Sequence, residues 1–369
     1  MFVSIIFYGF LVRVFFAIVG SFFLVLPGSE GDSAAFHYVA TLQCLNNSFE
    51  VLDHFKFNGW AYVAFLGKFY CLTFPHEIIG SLLSCIAWFI SGIIFLKILQ
   101  ILKIKNSFVL LIYSFLPTSV LYSSLILREP YQILFINLLI YLMLLIYKSK
   151  NLSIKKKILV FFSIILTIIV LASLHYIYWI FIIFFISFFL FFYFFKKKIM
   201  SIIFFILIFF FSSQYLYNNY ISGVYFKKEQ TLINAIKTYQ FSQNQSRSSY
   251  LDKNDLNNDK TFLFNIVFKY FTKPWPNDIQ TLSDSLFFLN NLIKLFLILY
   301  CLIAFFYKRI SSDNKKNLLF FLIMFFLLEL IWSLGTSSWG TASRHQVTSL
   351  IMLLISFGLI KKNQIINNG

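Results

Sequence analysis

The stretch 158–195, ILVFFSIILTIIVLASLHYIYWIFIIFFISFFLFFYFF, decides the architecture of this chain. It runs 38 residues without Asp, Glu, Lys or Arg, and lysine triplets close it at both ends, Lys155–Lys157 before and Lys196–Lys198 after. At a rise of ~1.5 Å per residue a single helix of this length would reach about 57 Å, nearly twice the ~30 Å core of a bilayer. The run must therefore fold back on itself, most simply near His175 and Tyr176. Both lysine triplets then lie on one side of a membrane.

Working outward, the same arrangement recurs. Lys97, Lys103 and Lys105; Lys148, Lys150 and Lys155–Lys157; Lys196–Lys198; Lys308, Arg309, Lys315 and Lys316; and Lys361 with Lys362 make 17 basic residues, accompanied by one acid, Asp313. These segments carry +16 of the formal net charge of +17, and the rest of the chain is nearly neutral. Short basic loops between apolar spans are the positive-inside pattern. The net charge is thereby spent on topology and gives no sign of a nucleic-acid partner, which needs a basic face or stripe of its own. With 59% apolar residues, 51 Phe and 12% charged residues, the chain reads as an all-α, polytopic transmembrane bundle.

About ten spans are expected, at 2–26, 78–101, 107–125, 131–147, 158–174, 177–195, 199–217, 286–307, 316–334 and 347–360, with both termini on the lysine side. Residues 1–26 lack a basic leader and a small-residue cleavage site, and Arg13 interrupts them, so they stay as the first span. The whole chain, 1–369, forms one integral membrane domain with two external regions, 27–77 and 218–285. In the first, the apolar piece Trp60–Phe74 is short and carries Lys68, and crossing would reverse every later lysine cluster. It is predicted to lie in the outer interface, preceded by a second short helix around Ser33–Cys44. Cys44 and Cys71 share this region, and an oxidising compartment allows them to pair; Cys85 and Cys301 read as packing residues. In the second region the centre, Ser242–Asp259, is polar, and Lys273-Pro-Trp-Pro-Asn-Asp278 cannot be regular helix. Trp275 there reads either as an interfacial aromatic or as a platform for a sugar ring.

The chemistry-bearing residues gather at the end opposite the lysines. Asp32, in Pro-Gly-Ser-Glu-Gly-Asp-Ser, is suited equally to capping the helix that follows and to acting as a general base. Arg128-Glu129-Pro130 occupies the turn between the third and fourth spans, where capping explains Glu129 and Pro130 but not Arg128. The chain has five Arg against 26 Lys, so arginine is used sparingly. Its rigid fork grips phosphate in a way lysine cannot, which makes Arg128 and Arg344 candidates for holding a diphosphate. Arg13 and Glu329 are read as a structural ion pair, with Lys294 as the alternative partner of Glu329. The last external turn, Trp332 to Gln346, is rich in small residues and carries Trp339, Arg344 and His345; His175 is the other histidine at this level. No repeat, phosphate loop, zinc-ligand spacing or serine nucleophile elbow is present.

One span, a long external loop with an Asp near its start, two interfacial helices and short basic hairpins resemble the GT-C class of membrane glycosyltransferases. The strings Gly31-Asp-Ser-Ala-Ala-Phe-His-Tyr38, Leu127-Arg-Glu-Pro-Tyr-Gln132, Lys273-Pro-Trp-Pro276 and Gly340-Thr-Ala-Ser-Arg-His345 are similar to those of bacterial surface-polysaccharide membrane proteins, O-antigen repeat-unit polymerases among them. The likeness covers the whole chain in layout and only these strings in residues. Protein mannosyltransferases of the class tend to carry an Asp-Glu pair in the first loop, whereas here Glu30 precedes Asp32 across Gly31.

The resemblance implies an enzyme of the bacterial inner membrane, acting at its periplasmic face on undecaprenyl-linked saccharides. Asp32 would then be the base, with His345, His175 or Glu129 as alternatives. Arg128 and Arg344 would hold the leaving phosphate, and Trp275 and Trp339 the sugars. A divalent cation, Mg or Mn, is an optional cofactor; the partners are lipid-linked saccharides, the bilayer and polysaccharide-assembly proteins such as a chain-length regulator. Polymerisation of repeat units and transfer of one sugar from a polyprenyl phosphate are both open. A flippase, the alternative of another class, should place polar groups through the bilayer midplane, whereas the sequence reading gathers them at one edge.

Overall fold

The computed structural model describes residues 2–46, 60–148, 153–193, 237, 240, 248–249, 251, 261–307 and 310–367. Among them are thirteen α-helices. Numbered in chain order they are α1 (Phe2–Phe22), α2 (Ala34–Asn46), α3 (Trp60–Leu72), α4 (Glu77–Ile101), α5 (Ser107–Phe115), α6 (Pro117–Ser123), α7 (Glu129–Lys148), α8 (Ile154–Leu174), α9 (Ile177–Tyr193), α10 (Phe262–Thr272), α11 (Leu282–Tyr307), α12 (Ser312–Leu334) and α13 (Trp339–Asn367). Seven of these, α1, α4, α7, α8, α11, α12 and α13, are long and apolar enough to cross a membrane. The chain is a multi-pass helical protein suited to a bilayer.

The three remaining expected spans have separate explanations. The span at 107–125 is two short helices, α5 and α6, because Pro117 forces Leu116 into an extended conformation (φ −61°, ψ 123°). The span at 177–195 is α9, shorter than the seven but apolar and without a charged residue. The span at 199–217 lies outside the described residues, as does almost all of 218–260. A further correction concerns the last turn: α13 starts at Trp339, not near residue 347, so Gly340 to Gln346 are helical and the true turn is only Gly335–Ser338.

The chain divides into two compact units, residues 1–178 with 357–369, and residues 179–356. In the first, α4 packs against α1 and α7, and α7 against α8. Helices α1, α4 and α5 approach closely at Gly9, where an added Cβ would lie 2.9 Å from Ser114 Cβ and 3.0 Å from the Trp88 ring. The outer faces stay apolar and exposed: Phe7, Leu11 and Phe15 on α1, and Phe161, Phe162 and Leu166 on α8. Such faces match lipid, not water. The two short helices expected within 27–77 appear as α2 and α3, covalently joined through Cys44 and Cys71 with Cα atoms 5.1 Å apart. The pair buries Ala40, Tyr62, Leu66 and Tyr70 against Ile126 and Leu174. Cys85 and Cys301 are buried and free.

Arg13 corrects the predicted ion pair. Its guanidinium, fully buried, donates to the Gly9 and Ser114 carbonyls at 2.9 and 2.7 Å and to the Ser123 and Ser119 hydroxyls at 2.9 and 3.0 Å. It also lies 3.4 Å from the Trp88 ring centre. Five donors in a planar fork can serve four acceptors at once, which is why neutral groups suffice here. Ser114 sits at the α5–α6 break, so Arg13 holds the interrupted span in place.

In the second unit α9 packs on α12 through aromatic edges, with Phe185, Phe189 and Phe192 around Phe320. Glu329, the other half of the expected pair, lies here and is taken by Lys294 at 3.7 Å.

Candidate functional site

In the first unit the predicted residues converge on the turn between α8 and α9. Arg128 precedes α7, and its backbone carbonyl accepts from Tyr131 N and Gln132 N, starting that helix. Its side chain reaches the last residue of α8, with Nη1 3.4 Å from the Leu174 carbonyl. A cation at a helix C-terminus meets the negative end of the dipole and carbonyls that lack helical donors. This accounts for the charge that capping of α7 leaves unexplained. His175 follows directly: its Nδ1 accepts from Ile177 N at 3.2 Å, capping α9, and its ring stacks on Tyr176. Glu129 opens α7 and is buried.

Asp32 belongs to the segment before α2. Gly28 and Gly31 both take positive φ, 86° and 88°, and with the extended Glu30 between them kink the segment Ser29–Ser33 into α2. Asp32 is exposed in this segment. One helical turn later, the ring of Phe36 lies 5.9 Å from the Arg128 guanidinium. Through Phe36 of α2 the segment of Asp32 thus approaches Arg128, which is followed in the chain by Glu129 and reaches the residue before His175.

Beside this group is a cluster that the sequence reading missed. His37 Nδ1 is 2.9 Å from the Tyr70 hydroxyl, linking α2 to α3. His76 caps α4 through Ile78 N and stacks on Phe22, and Glu77 follows it. Burial holds the His37 imidazole below its usual pKa, with Glu77 opposing and His76 reinforcing the shift. Burial and the neighbouring Glu77 raise the Tyr70 phenol. Tyr62, packed edge-on to Phe36 and tilted against Tyr131, is raised by burial first and by Tyr131 second. Two histidines and a glutamate in one external region were the available signal; their meeting across α2, α3 and α4 was not.

The remaining predicted residues lie in the second unit. Trp275 is 44% exposed, and its backbone N–H donates to Asp278 Oδ2 at 2.8 Å. Lys273 pairs with Asp278 at 3.6 Å, and its ammonium is 5.7 Å from the Trp275 ring and 5.7 Å from the Trp339 ring. Trp339 is buried, its indole N–H donated to Asp284 Oδ1 at 2.9 Å, so it supports the loop from beneath. Asp284 Oδ2 also accepts from Gln280 N, Thr281 N and the Thr281 hydroxyl, which fixes the start of α11. His345 is buried and stacked on Trp332 with centroids 3.8 Å apart; Arg344, its neighbour on α13, is half-buried. Among the described residues no three His, Cys, Asp or Glu side chains converge to hold a metal ion, so a divalent cation at Asp32 finds no ligand set of that kind here.

No family model, no curated protein and no solved structure matches this chain.

Proposed function

We propose that the protein is a membrane glycosyltransferase of bacterial cell-surface polysaccharide assembly, with a GT-C-like layout, taking polyprenyl-linked saccharides at the face opposite its lysine clusters. The observation that carries this reading is the cluster of Arg128, Glu129 and His175, tied through Phe36 to the segment of Asp32. It lies at the ends of membrane-length helices and beside the covalently joined α2–α3 pair. A headgroup phosphate meets the polar residues there while its prenyl tail lies along apolar helix faces. The joined cysteines fit an oxidising compartment such as the periplasm.

In this reading Asp32, exposed and one helical turn before Phe36, takes the proton of the acceptor hydroxyl. Arg128 balances the charge growing on the departing phosphate or diphosphate. Polymerisation of repeat units on undecaprenyl diphosphate is preferred, and transfer of a single sugar from a polyprenyl phosphate is the alternative. A flippase is kept as the reading of another class because Arg13, Lys294 and Glu329 are buried charged residues within membrane-length helices.

Deletion of the gene followed by gel analysis of surface polysaccharide tests all three. Chains stopped at one repeat support the polymerase, a shortened repeat supports the transferase, and loss of exported material supports the flippase. Unchanged polysaccharide rejects every version.

A further inference from the structure

We infer that the second unit contains a proton-binding site formed by Glu329 and Lys294, deep in the apolar layer and reached from one end only. The inference is independent of the glycosyltransferase reading. Its basis is the register of three helices. Helices α11 and α13 touch through Asp284 Oδ1 and Trp339 Nε1 at the end where α12 turns into α13. Ten positions further along each helix come Lys294 and Ser349, and both meet Glu329 of α12. Lys294 Nζ is 3.7 Å from Glu329 Oε2, and the Ser349 hydroxyl donates to Oε1. Ten residues of helix are about 15 Å, close to half of a ~30 Å hydrocarbon core.

Polar groups fill the distance between these two levels. Asn290 and Asn291 sit one turn before Lys294; Gln346 and His345 sit one turn before Ser349, and all four are buried. Asn291 donates to the Lys273 carbonyl, and Gln346 Nε2 to the Tyr270 carbonyl at 3.0 Å. Past the ion pair the character changes. Leu297 and Cys301 on α11, Phe325 and Phe321 on α12, and Leu353 on α13 are buried there. Helix α11 carries no further charge to its end at Tyr307, and α12 and α13 carry none until Lys316 and Lys361. The polar wedge therefore has a floor, and that floor is ionisable.

The identity of the ligand follows from the charges around Glu329. Lys294 comes from α11, the Tyr270 phenol from α10 and the His345 imidazole from α13, while α9 carries no charged residue; Asp284 and Arg344 lie nearer the mouth. The Lys294 ammonium, packed 4.9 Å from the Phe271 ring centre, occupies the place of a metal cation and repels one. A proton is small enough to join the carboxylate without displacing it. In the step itself, a hydronium ion at the α12–α13 end gives its proton to the Glu329 carboxylate and is left as water, and the carboxylate becomes a carboxylic acid. Lys294 stays an ammonium, and the charge of the site rises from zero to plus one. A charge change at this depth biases any neighbouring packing that differs between two states.

Infrared difference spectroscopy on the full-length protein in detergent, between about pH 5 and pH 9, tests this. The expected result is the carbonyl band of a poorly solvated carboxylic acid that grows as pH falls in the wild type and is missing in Glu329→Gln. A charge-free double variant, Lys294→Met with Glu329→Gln, guards against misfolding, because removing both charges leaves no orphan. It should keep the wild-type melting temperature and also lack the band. In sealed vesicles the wild type should show no passive proton leak under an imposed pH difference. A band that persists in both variants, a wild type without the band, or a leak that matches an added ionophore overturns the inference.

Discussion

The guanidinium of Arg13 lies 3.4 Å from the centre of the Trp88 ring, and its hydrogen bonds go to two carbonyls and two hydroxyls, all neutral. A buried cation held this way depends on the number and direction of its donors, not on a counter-charge.

Arg13→Ala should therefore lower stability by about 2–4 kcal/mol, since it strands four acceptors and leaves a cavity against Trp88. Arg13→Lys keeps the charge with fewer, differently placed donors and should recover less than half of that. Thermal unfolding of the purified variants in detergent measures both, and an unaltered melting temperature for the alanine variant would contradict the assignment.

Arg128 separates structure from function more cleanly. Lysine at this position still places a cation at the end of α8, so Arg128→Lys should change stability by less than ~1 kcal/mol. If the side chain grips a lipid phosphate with its fork, product should fall at least about tenfold, the cost of losing one charge-assisted bond. Melting temperature and surface-polysaccharide yield are compared in one strain, and full yield at normal protein level counts against the phosphate role.

The pH response of the α2–α3 pair follows from His37. Its folded pKa is depressed, so below the ordinary imidazole value near 6.5 the unfolded chain takes up a proton that the folded chain resists. The contribution is complete above that value and is lost as pH falls towards the depressed folded value. His37→Gln keeps a partner for the Tyr70 hydroxyl and should flatten this part of the melting-temperature profile. An equal acid-side slope in the variant would refute it.

Joining Cys44 to Cys71 closes 27 residues of sequence separation, for which loop-closure entropy gives about 3.5 kcal/mol. Cys44→Ser and Cys71→Ser should each lose that much, and the double variant no more than either. In intact cells, a membrane-impermeant thiol reagent should label Cys71 of the Cys44→Ser variant without permeabilisation. Labelling that appears only after the membrane is opened would reverse the assigned sidedness.

Seven of the expected spans are legible because length and hydropathy suffice to define them, and the short helices α2 and α3 because the apolar run there is brief and interrupted by Lys68. The break at Leu116 was overlooked although Pro117 was in view, since the apolar run on either side outweighed one residue. Trp332 to Gln346 reads as a single turn from its small residues. Burial of Ala342, Ser343 and Gln346 instead draws most of it into α13, a case of packing overriding helix propensity. Which helices neighbour one another is not written in hydropathy at all. For that reason Glu329 was assigned first to Arg13 instead of Lys294, and the contact between His37 and Tyr70 went unseen.

Arg13 also bears on how the chain is made. An arginine at the centre of a helix opposes entry into bare lipid by roughly 2.5–3.5 kcal/mol on the insertion scale. The acceptors that relieve this penalty, Ser114, Ser119 and Ser123, are about a hundred residues away and emerge from the ribosome well after α1. The first helix is thus a reluctant guest of the membrane until α5 and α6 have been synthesised. Its final seating is a late event of biogenesis, although it is translated before the helices that receive it.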